Sequence, residues 1–305
     1  MSVKITVITP TYNRAHTLGR AYESLVNQSF KEFKWIIMDD ESTDGTQILV
    51  KKLQAESPFG IEYFYNPNQH KFHTVFEGIK KVDSPYFMIL DSDDSYPQDA
   101  FESLYQEIEK IPNPDEFISV MGLSGDENGE VVGDAYPNGG FDGSILEMRY
   151  KFKVRGDKNG MFITKSYQRE LKKFDYSGIP SGIYIPQSVF FNRYDAQGVK
   201  TRFTNKIVRF YHQDDSDKAS VSNTRWSGKN QYGLMLGYLS FLNAYGSQLF
   251  LYPNALFRNI VGYQIYAFKQ NIKFSKIIQA VKHPVIQLLG IIIFPFSYFY
   301  SLLKN

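Results

Sequence analysis

Three times within the first hundred residues, an apolar run of strand length stops abruptly at a polar cluster. KITVITP runs into TPTYN, FKWIIMDD into MDDESTD, and YFMIL into LDSDDSY. Short runs rich in β-branched and aromatic residues read as strands. Between them lie stretches of helical period. HTLGRAYESLVNQ puts Leu18, Tyr22, Leu25 and Val26 on one face. STDGTQILVKKLQAES follows with Ser42, Thr43 or Asp44 as its cap; then come a third strand, GIEYFYN, and a third helix, FHTVFEGIKKV. Apolar strands alternating with helices predict an α/β fold, a mostly parallel sheet covered on both faces. Ligands of such sheets sit beyond the carboxyl ends of the strands, so the polar clusters are expected to form one site.

The remainder is less regular. FISVMG reads as a strand, SGDENGEVVGD as a turn-rich hairpin, and KVRGDKNGMFITKSYQREL as a strand leading into a helix. From about residue 225 the chain turns helical and aromatic. A length of 305 residues suits one large α/β domain, expected over residues 1–220, with a helical extension over 221–305. A net charge of +2 with scattered Lys and Arg gives no field directed at nucleic acid. With no cysteine, disulfides and thiolate metal sites are excluded, and any metal is held by oxygen or imidazole. MSVKITVITPTYNR lacks the pattern of a signal peptide.

The stretch HPVIQLLGIIIFPFSYFYSLLKN has no formal charge from Pro284 to Leu303 and nears the length needed to cross a bilayer. Gln287, Gly290 and Pro295 interrupt it. The expectation is a helix pair broken at Pro295 and resting on a membrane, rather than a clean span.

The acidic clusters carry the chemistry. Capping explains one aspartate near the fourth strand, Asp94 or Asp99, but not Asp91, Asp93 and Asp94 together at the end of a buried strand. Two carboxylates one residue apart can share a divalent cation. Mg²⁺ or Mn²⁺ held this way keeps places for phosphate oxygens, which makes a diphosphate its natural ligand. Asp39 and Asp40 close the second strand either as caps, shared with Asp44, or as acceptors for base and ribose groups. Neither a G-x-G-x-x-G nor a G-x-x-x-x-G-K-[ST] loop is present. Trp226 and Tyr232 offer faces on which a sugar could stack, although aromatics at helical spacing are more often core.

In that order and spacing, VITPTYNR, WIIMDDESTDGT and YFMILDSDDSY resemble the N-terminal half of family 2 glycosyltransferases, over residues 3 to 105. The resemblance implies the GT-A fold, a nucleotide-binding α/β domain, and inverting, metal-assisted transfer of a sugar from a nucleoside diphosphate, with a leaning to uridine. By position it implies that Pro10 and Tyr12 lie along the nucleoside, that Asp40 hydrogen-bonds the base, and that Lys71 helps hold the donor. Asp91 and Asp93 form the family's D-x-D, with Asp93 on the metal and Asp91 on the metal or facing ribose or sugar. Asp94 adjoins them and can share either role. His212 in FYHQDD either completes the metal shell or is a surface histidine beside Asp214 and Asp215; His70 and His73 read as helix-start or surface residues.

VRGDKNGMFITKSYQRELKKF, IYIPQSVFFNRY and VRFYHQDDSDKAS resemble segments of bacterial members that build surface polysaccharides. Gln187 stands where the resemblance leads one to expect glutamate. A glutamine cannot take the proton of an acceptor hydroxyl. Gln187 then positions the acceptor, and the base is Asp157 or, second, Asp175. With an apolar tail on the membrane, the implied acceptor is a glycan or polyprenyl-linked sugar at the inner face of the cell membrane. Competing readings are a nucleotidyltransferase, for which TPTYNRAHTLG is a poor loop, and a non-catalytic nucleotide-sugar-binding protein at the membrane.

Overall fold

A computed structural model describes residues 2–212 and 230–303. The chain divides into two compact units. The first comprises Met1–Gly182 and Val199–Gln213, the second Ile183–Gly198 and Asp214–Asn305. The segment 183–198 therefore belongs with the C-terminal helices, whereas the sequence pattern places the only boundary at 220. Trp226, Asp214 and Asp215 lie outside the described residues.

The first unit opens with β1 (Ile5–Thr11), α1 (Leu18–Val26), β2 (Phe33–Asp39), α2 (Thr46–Glu56), β3 (Gly60–Tyr65), α3 (His70–Lys80), β4 (Tyr86–Ile89) and α4 (Ala100–Glu109). It continues with β5 (Phe117–Gly125), β6 (Gly140–Gly143), β7 (Lys158–Ile163), α5 (Thr164–Lys172) and, after α6 (Ser188–Asp195) of the other unit, β8 (Lys200–Phe210). The eight strands form one sheet in the order β3-β2-β1-β4-β7-β5-β8-β6. Strands β1 to β4 are parallel to their neighbours among themselves, as the alternating pattern predicts. The far half is mixed, because β7 runs antiparallel to both β4 and β5 while β5 and β8 are parallel.

Every residue of β1 is buried, as a strand covered on both faces requires. On one face Ile5, Val7, Trp35, Ile37 and Met88 join Leu25, Phe101 and Leu104 from α1 and α4. The Trp35 indole N–H is satisfied in this core by Thr9 Oγ1 at 2.8 Å. On the other face α3 comes close through Gly78, where a Cβ would stand 2.9 Å from Ile8 Cγ2 and 3.0 Å from Met38 Cγ. Since β2, β1 and β4 are adjacent and parallel, their carboxyl ends lie side by side at one edge.

The second unit consists of α6 with α7 (Gln231–Tyr245), α8 (Pro253–Lys269), α9 (Phe274–Ala280) and α10 (Pro284–Leu303). Helix α6 joins it through Ser240 Oγ–H donating to Val189 O at 3.0 Å and Tyr245 O–H donating to Asp195 at 2.7 Å. Helix α10 is continuous for 20 residues with Pro295 inside it, which corrects the expected break. Proline removes one N–H and bends a helix, but packing along both halves can hold the two together. Here Phe294 and Phe296 flank the proline and contact Phe268, Phe274 and Phe257.

Candidate active site

The acidic turn after β4 is built from the strand ends outward. Beyond β1 and β2 the chain turns through non-glycine residues in the left-handed region, Asn13 (φ 53°) and Glu41 (φ 73°). Such backbone persists only where its surroundings enforce it. Here the two loops are latched: Asn13 N–H donates to Ser42 Oγ at 2.8 Å, Thr43 N–H to Asn13 Oδ1 at 2.7 Å, and Ala15 N–H to Asp44 Oδ2 at 3.0 Å. Pro10 is buried within β1, and Tyr12 just beyond it is 48% exposed at this edge.

Asp39 and Asp40 have different tasks. Asp39 is fully buried and accepts from Ser42 N–H and Tyr63 O–H, tying β2 to β3. Asp40 Oδ1 accepts from Gln69 N–H and Thr74 Oγ1–H, both at 2.8 Å. This anchors the first turn of α3 to the end of β2 and leaves Oδ2 outside those bonds. The anchored turn carries Lys71, whose Nζ meets Asp91 Oδ1 at 2.6 Å. Burial works to lower the Lys71 pKa, but Asp91, Asp93 and Asp157 together hold it above its ordinary value. Of the flanking histidines, His70 starts α3 as its position suggested. His73 is not on the surface: it is buried, with Nε2 at 3.2 Å from Pro180 O.

Asp91, Asp93 and Asp94 each offer a carboxylate oxygen within 4.8 Å of the others. Asp94 is no helix cap. It lies buried before α4 begins, its Oδ2 3.2 Å from Arg209 and its Oδ1 accepting the His212 backbone N–H at 3.2 Å. Burial, against the pull of Arg209 and with the push of Asp91 and Asp93, raises its pKa to about 7. Asp93 is also raised, by burial and by Asp91, despite Lys71 and Arg14. Three crowded carboxylates, of which Asp93 and Asp94 hold their protons more tightly than an ordinary aspartate, form a donor set that a hard divalent cation would relieve, so the residues fit Mg²⁺ or Mn²⁺.

Arg209, from β8, was not singled out by sequence reasoning. It is 3% exposed and reaches Asp94, Asp157 at 2.7 Å and Ser124 Oγ at 2.9 Å. The available signal was a lone arginine within the strand run KIVRFY, since a charge in a buried strand requires a partner. Burial tends to raise the Asp157 pKa, but Arg209 and then Lys71 outweigh it and hold the carboxyl below its ordinary value.

The remaining candidates fall elsewhere. Asp175 is exposed and accepts the Ser177 N–H at 3.0 Å within its own loop. Gln187 belongs to the second unit, just before α6, and its Nε2 is buried without a partner among the described residues. His212 lies beside the acidic trio, but its ring nitrogens meet Ser95 Oγ at 2.9 Å and Glu127 Oε1 at 2.8 Å. Its imidazole is engaged by these two groups and braces the turn.

Comparison with known proteins gives a consistent picture. Residues 6–175 match the family described as Glycosyl transferase family 2. The chain is 27% identical over 261 residues to GalNAc(5)-diNAcBac-PP-undecaprenol beta-1,3-glucosyltransferase of Campylobacter jejuni, covering 81% of this chain and 75% of that one. Two other curated relatives are longer, and the chain spans 20% and 32% of their lengths. Among solved structures, S. aureus TarS 1-349 in complex with UDP-GlcNAc aligns at a TM-score of 0.60 and 15% identity, over 92% of this chain and 82% of that one. Mannosyltransferase PcManGT from Pyrobaculum calidifontis, in complex with GDP-Man and Mn2+, aligns at 0.57 and 12% identity, over 100% and 87%. At these identities the likeness shows the fold, a GT-A sheet with flanking helices.

Proposed function

Because this chain belongs to glycosyl transferase family 2, we propose that it moves a sugar, with inversion, from a nucleoside diphosphate to a hydroxyl of a glycan or lipid-linked acceptor. The observation that carries this reading is the acidic trio at the end of β4, set between Lys71 and Arg209 beside the ends of β1 and β2. Pro10 and Tyr12 lie along the nucleoside, and Asp40 accepts from its base through Oδ2. Lys71, released in part from Asp91, draws on the diphosphate oxygens, an electrostatic role aimed at the charge that develops as the bond breaks. Asp93 and Asp91 would hold Mn²⁺ or Mg²⁺, which supplies Lewis-acid neutralisation of the departing diphosphate. Asp94, with both oxygens engaged, fixes the turn that presents them.

Asp157 is the base this geometry supports best, because of the two carboxylate candidates it alone is tied to the charged cluster. Its low pKa keeps it ionised at neutral pH, and an approaching hydroxyl must compete with Arg209 for it. Asp175, held in its own exposed loop, is the second candidate for the base. Uridine is the favoured nucleoside; that a fold neighbour is solved with UDP-GlcNAc supports it. The undecaprenol-linked substrate in a relative's name supports a polyprenyl-linked acceptor, hence work on surface polysaccharide at the inner face of a bacterial membrane.

The test is a panel of nucleotide sugars with Mn²⁺ or Mg²⁺, read by thermal stabilisation and by release of nucleoside diphosphate. One donor is expected to stabilise the protein and be turned over, with both effects lost in Asp93→Ala. Asp157→Asn is expected to keep donor stabilisation and lose turnover. Stabilisation without any release, lipid acceptors included, would leave a nucleotide-sugar-binding protein; no metal-dependent response to any donor would overturn the site itself.

A further inference from the structure

Helix α10 is amphipathic in the reverse sense. Its packed stripe contains Ile286, Gly290, Ser297 and Ser301, three of them small or hydroxylated. Its outward side carries Val285, Leu288, Ile291, Ile292, Phe296 and Phe299, each between 47% and 66% exposed. A helix on a water-facing surface hides its large apolar side chains and shows its polar ones. Small residues inward and large apolar residues outward are the pattern of helices surrounded by lipid. The apolar surface extends onto α8 through Phe257, 46% exposed and 5.8 Å from the Phe296 ring.

A full crossing conflicts with how α10 is held. Gln264 Nε2–H donates to Gly290 O at 2.7 Å, and Phe294 meets Phe268 at 5.0 Å and Phe274 at 4.0 Å. Inserting α10 across a bilayer would either break these contacts or draw α8 and α9 in with it. Those two helices carry Arg258, Lys269 and Lys276, and cations are costly in hydrocarbon.

The charge distribution identifies the occupant. The net charge of +2 conceals a division: beyond Asp217 the sequence has nine Lys and Arg residues and no Asp or Glu. All 32 acidic residues precede that point. In the segments next to the apolar face along the chain, Arg258 follows Phe257, and Lys273, Lys276 and Lys282 lie just before or within the stretch from α9 to α10; all four are exposed. A second copy would bring like charges together, whereas a surface of lipid phosphates would neutralise them.

We propose that the outward face of α10, with Phe257, lies parallel to the surface of an anionic bilayer in its headgroup region, Arg258 and the exposed lysines of the neighbouring segments resting on lipid phosphates. The inference deepens the reading of the chain as an enzyme of membrane-borne acceptors, and it predicts selectivity for anionic lipid that the reading alone does not.

Full-length protein is incubated with sedimentable vesicles of phosphatidylcholine alone or with about 30 mol% phosphatidylglycerol, at low and high salt. Binding to the anionic vesicles is expected to be at least about tenfold stronger and to weaken with salt. Ile292→Glu should abolish it, and Lys273→Glu with Lys276→Glu should reduce it to the level of neutral lipid. Since these positions are exposed, both variants should keep the donor-induced stabilisation of the parent, read without vesicles. That readout belongs to the donor site and fails separately. Equal binding to both vesicles, or undiminished binding by Ile292→Glu, would overturn the proposal. So would retention in vesicles through alkaline carbonate extraction, which indicates a span, or a lipid-free dimer dispersed by Ile292→Glu, which indicates a second copy.

Discussion

Arg209 serves two carboxylates at once, and its loss should show how the turn after β4 is kept in place. Removing one member of a buried ion pair costs up to about 3–5 kcal/mol, and less where, as at Asp94, the remaining carboxyl can take up a proton. Arg209→Met should destabilise the fold by that order in denaturant titrations, and Asp94→Asn in the same chain should recover part of the loss. Titration offers a second check. The Asp94 pKa is raised to about 7 in the folded chain, far above that of an unfolded aspartate. Its contribution to stability is therefore complete at acid pH and lost as pH climbs towards and through 7. The metal-free protein should lose more melting temperature between pH 5 and pH 8 than Asp94→Asn does. Stabilisation by Mn²⁺ should also grow as pH rises, because the cation binds the ionised form of Asp93, whose carboxyl is likewise held above its ordinary pKa. A pH dependence identical in parent and variant would show that Asp94 is ordinary. At this scale the sequence displayed the acids but not their partners: Asp91, Asp93 and Asp94 stand out beside an apolar run, whereas Arg209 lies 115 residues beyond Asp94 in a strand of mixed character.

Among the elements, the ones legible in advance are those whose pattern is local. Strands β1, β2 and β4 are short apolar runs with both faces covered, and α1 shows its buried stripe at helical spacing, Leu18, Ala21 and Leu25. Strand β8, KTRFTNKIVRF, alternates cations with apolar residues and shifts register against β5, so periodicity alone does not define it. The continuity of α10 through Pro295 was hidden for a related reason: proline's local tendency to end a helix is overruled by ring contacts from α8 and α9. Close approach of elements can be tested with glycine. A Cβ at Gly233 would stand 1.8 Å from Tyr184 O, so Gly233→Ala must push α7 away from the segment before α6. A loss of about 1–3 kcal/mol is expected from the thermal midpoint. Gly178→Ala, where nothing lies within 4 Å, should change stability by no more than about 0.5 kcal/mol.

In the whole molecule the two units are interleaved along the chain, and no sequence pattern announces this, because the contacts that hold α6 against α7 join residues some fifty positions apart. The family match ends at residue 175, before β8 supplies Arg209. A chain cut after residue 182 should therefore fail to respond to Mn²⁺ and donor, whereas one cut after residue 213 retains the complete sheet but uncovers Phe190 and Tyr194 of α6, both buried here within the second unit. Size-exclusion chromatography should find the longer fragment self-associated. The same interleaving sets an order of events on the ribosome. The central strands can pair early, but the sheet is finished only when residue 210 has emerged, since β8 lies between β5 and β6. Helix α6 emerges before that and waits until residue 245 for its cover, on the order of seconds at ordinary elongation rates. During that wait the nascent chain shows an uncovered aromatic helix beside an unfinished sheet, and this is the interval in which a chaperone would find it.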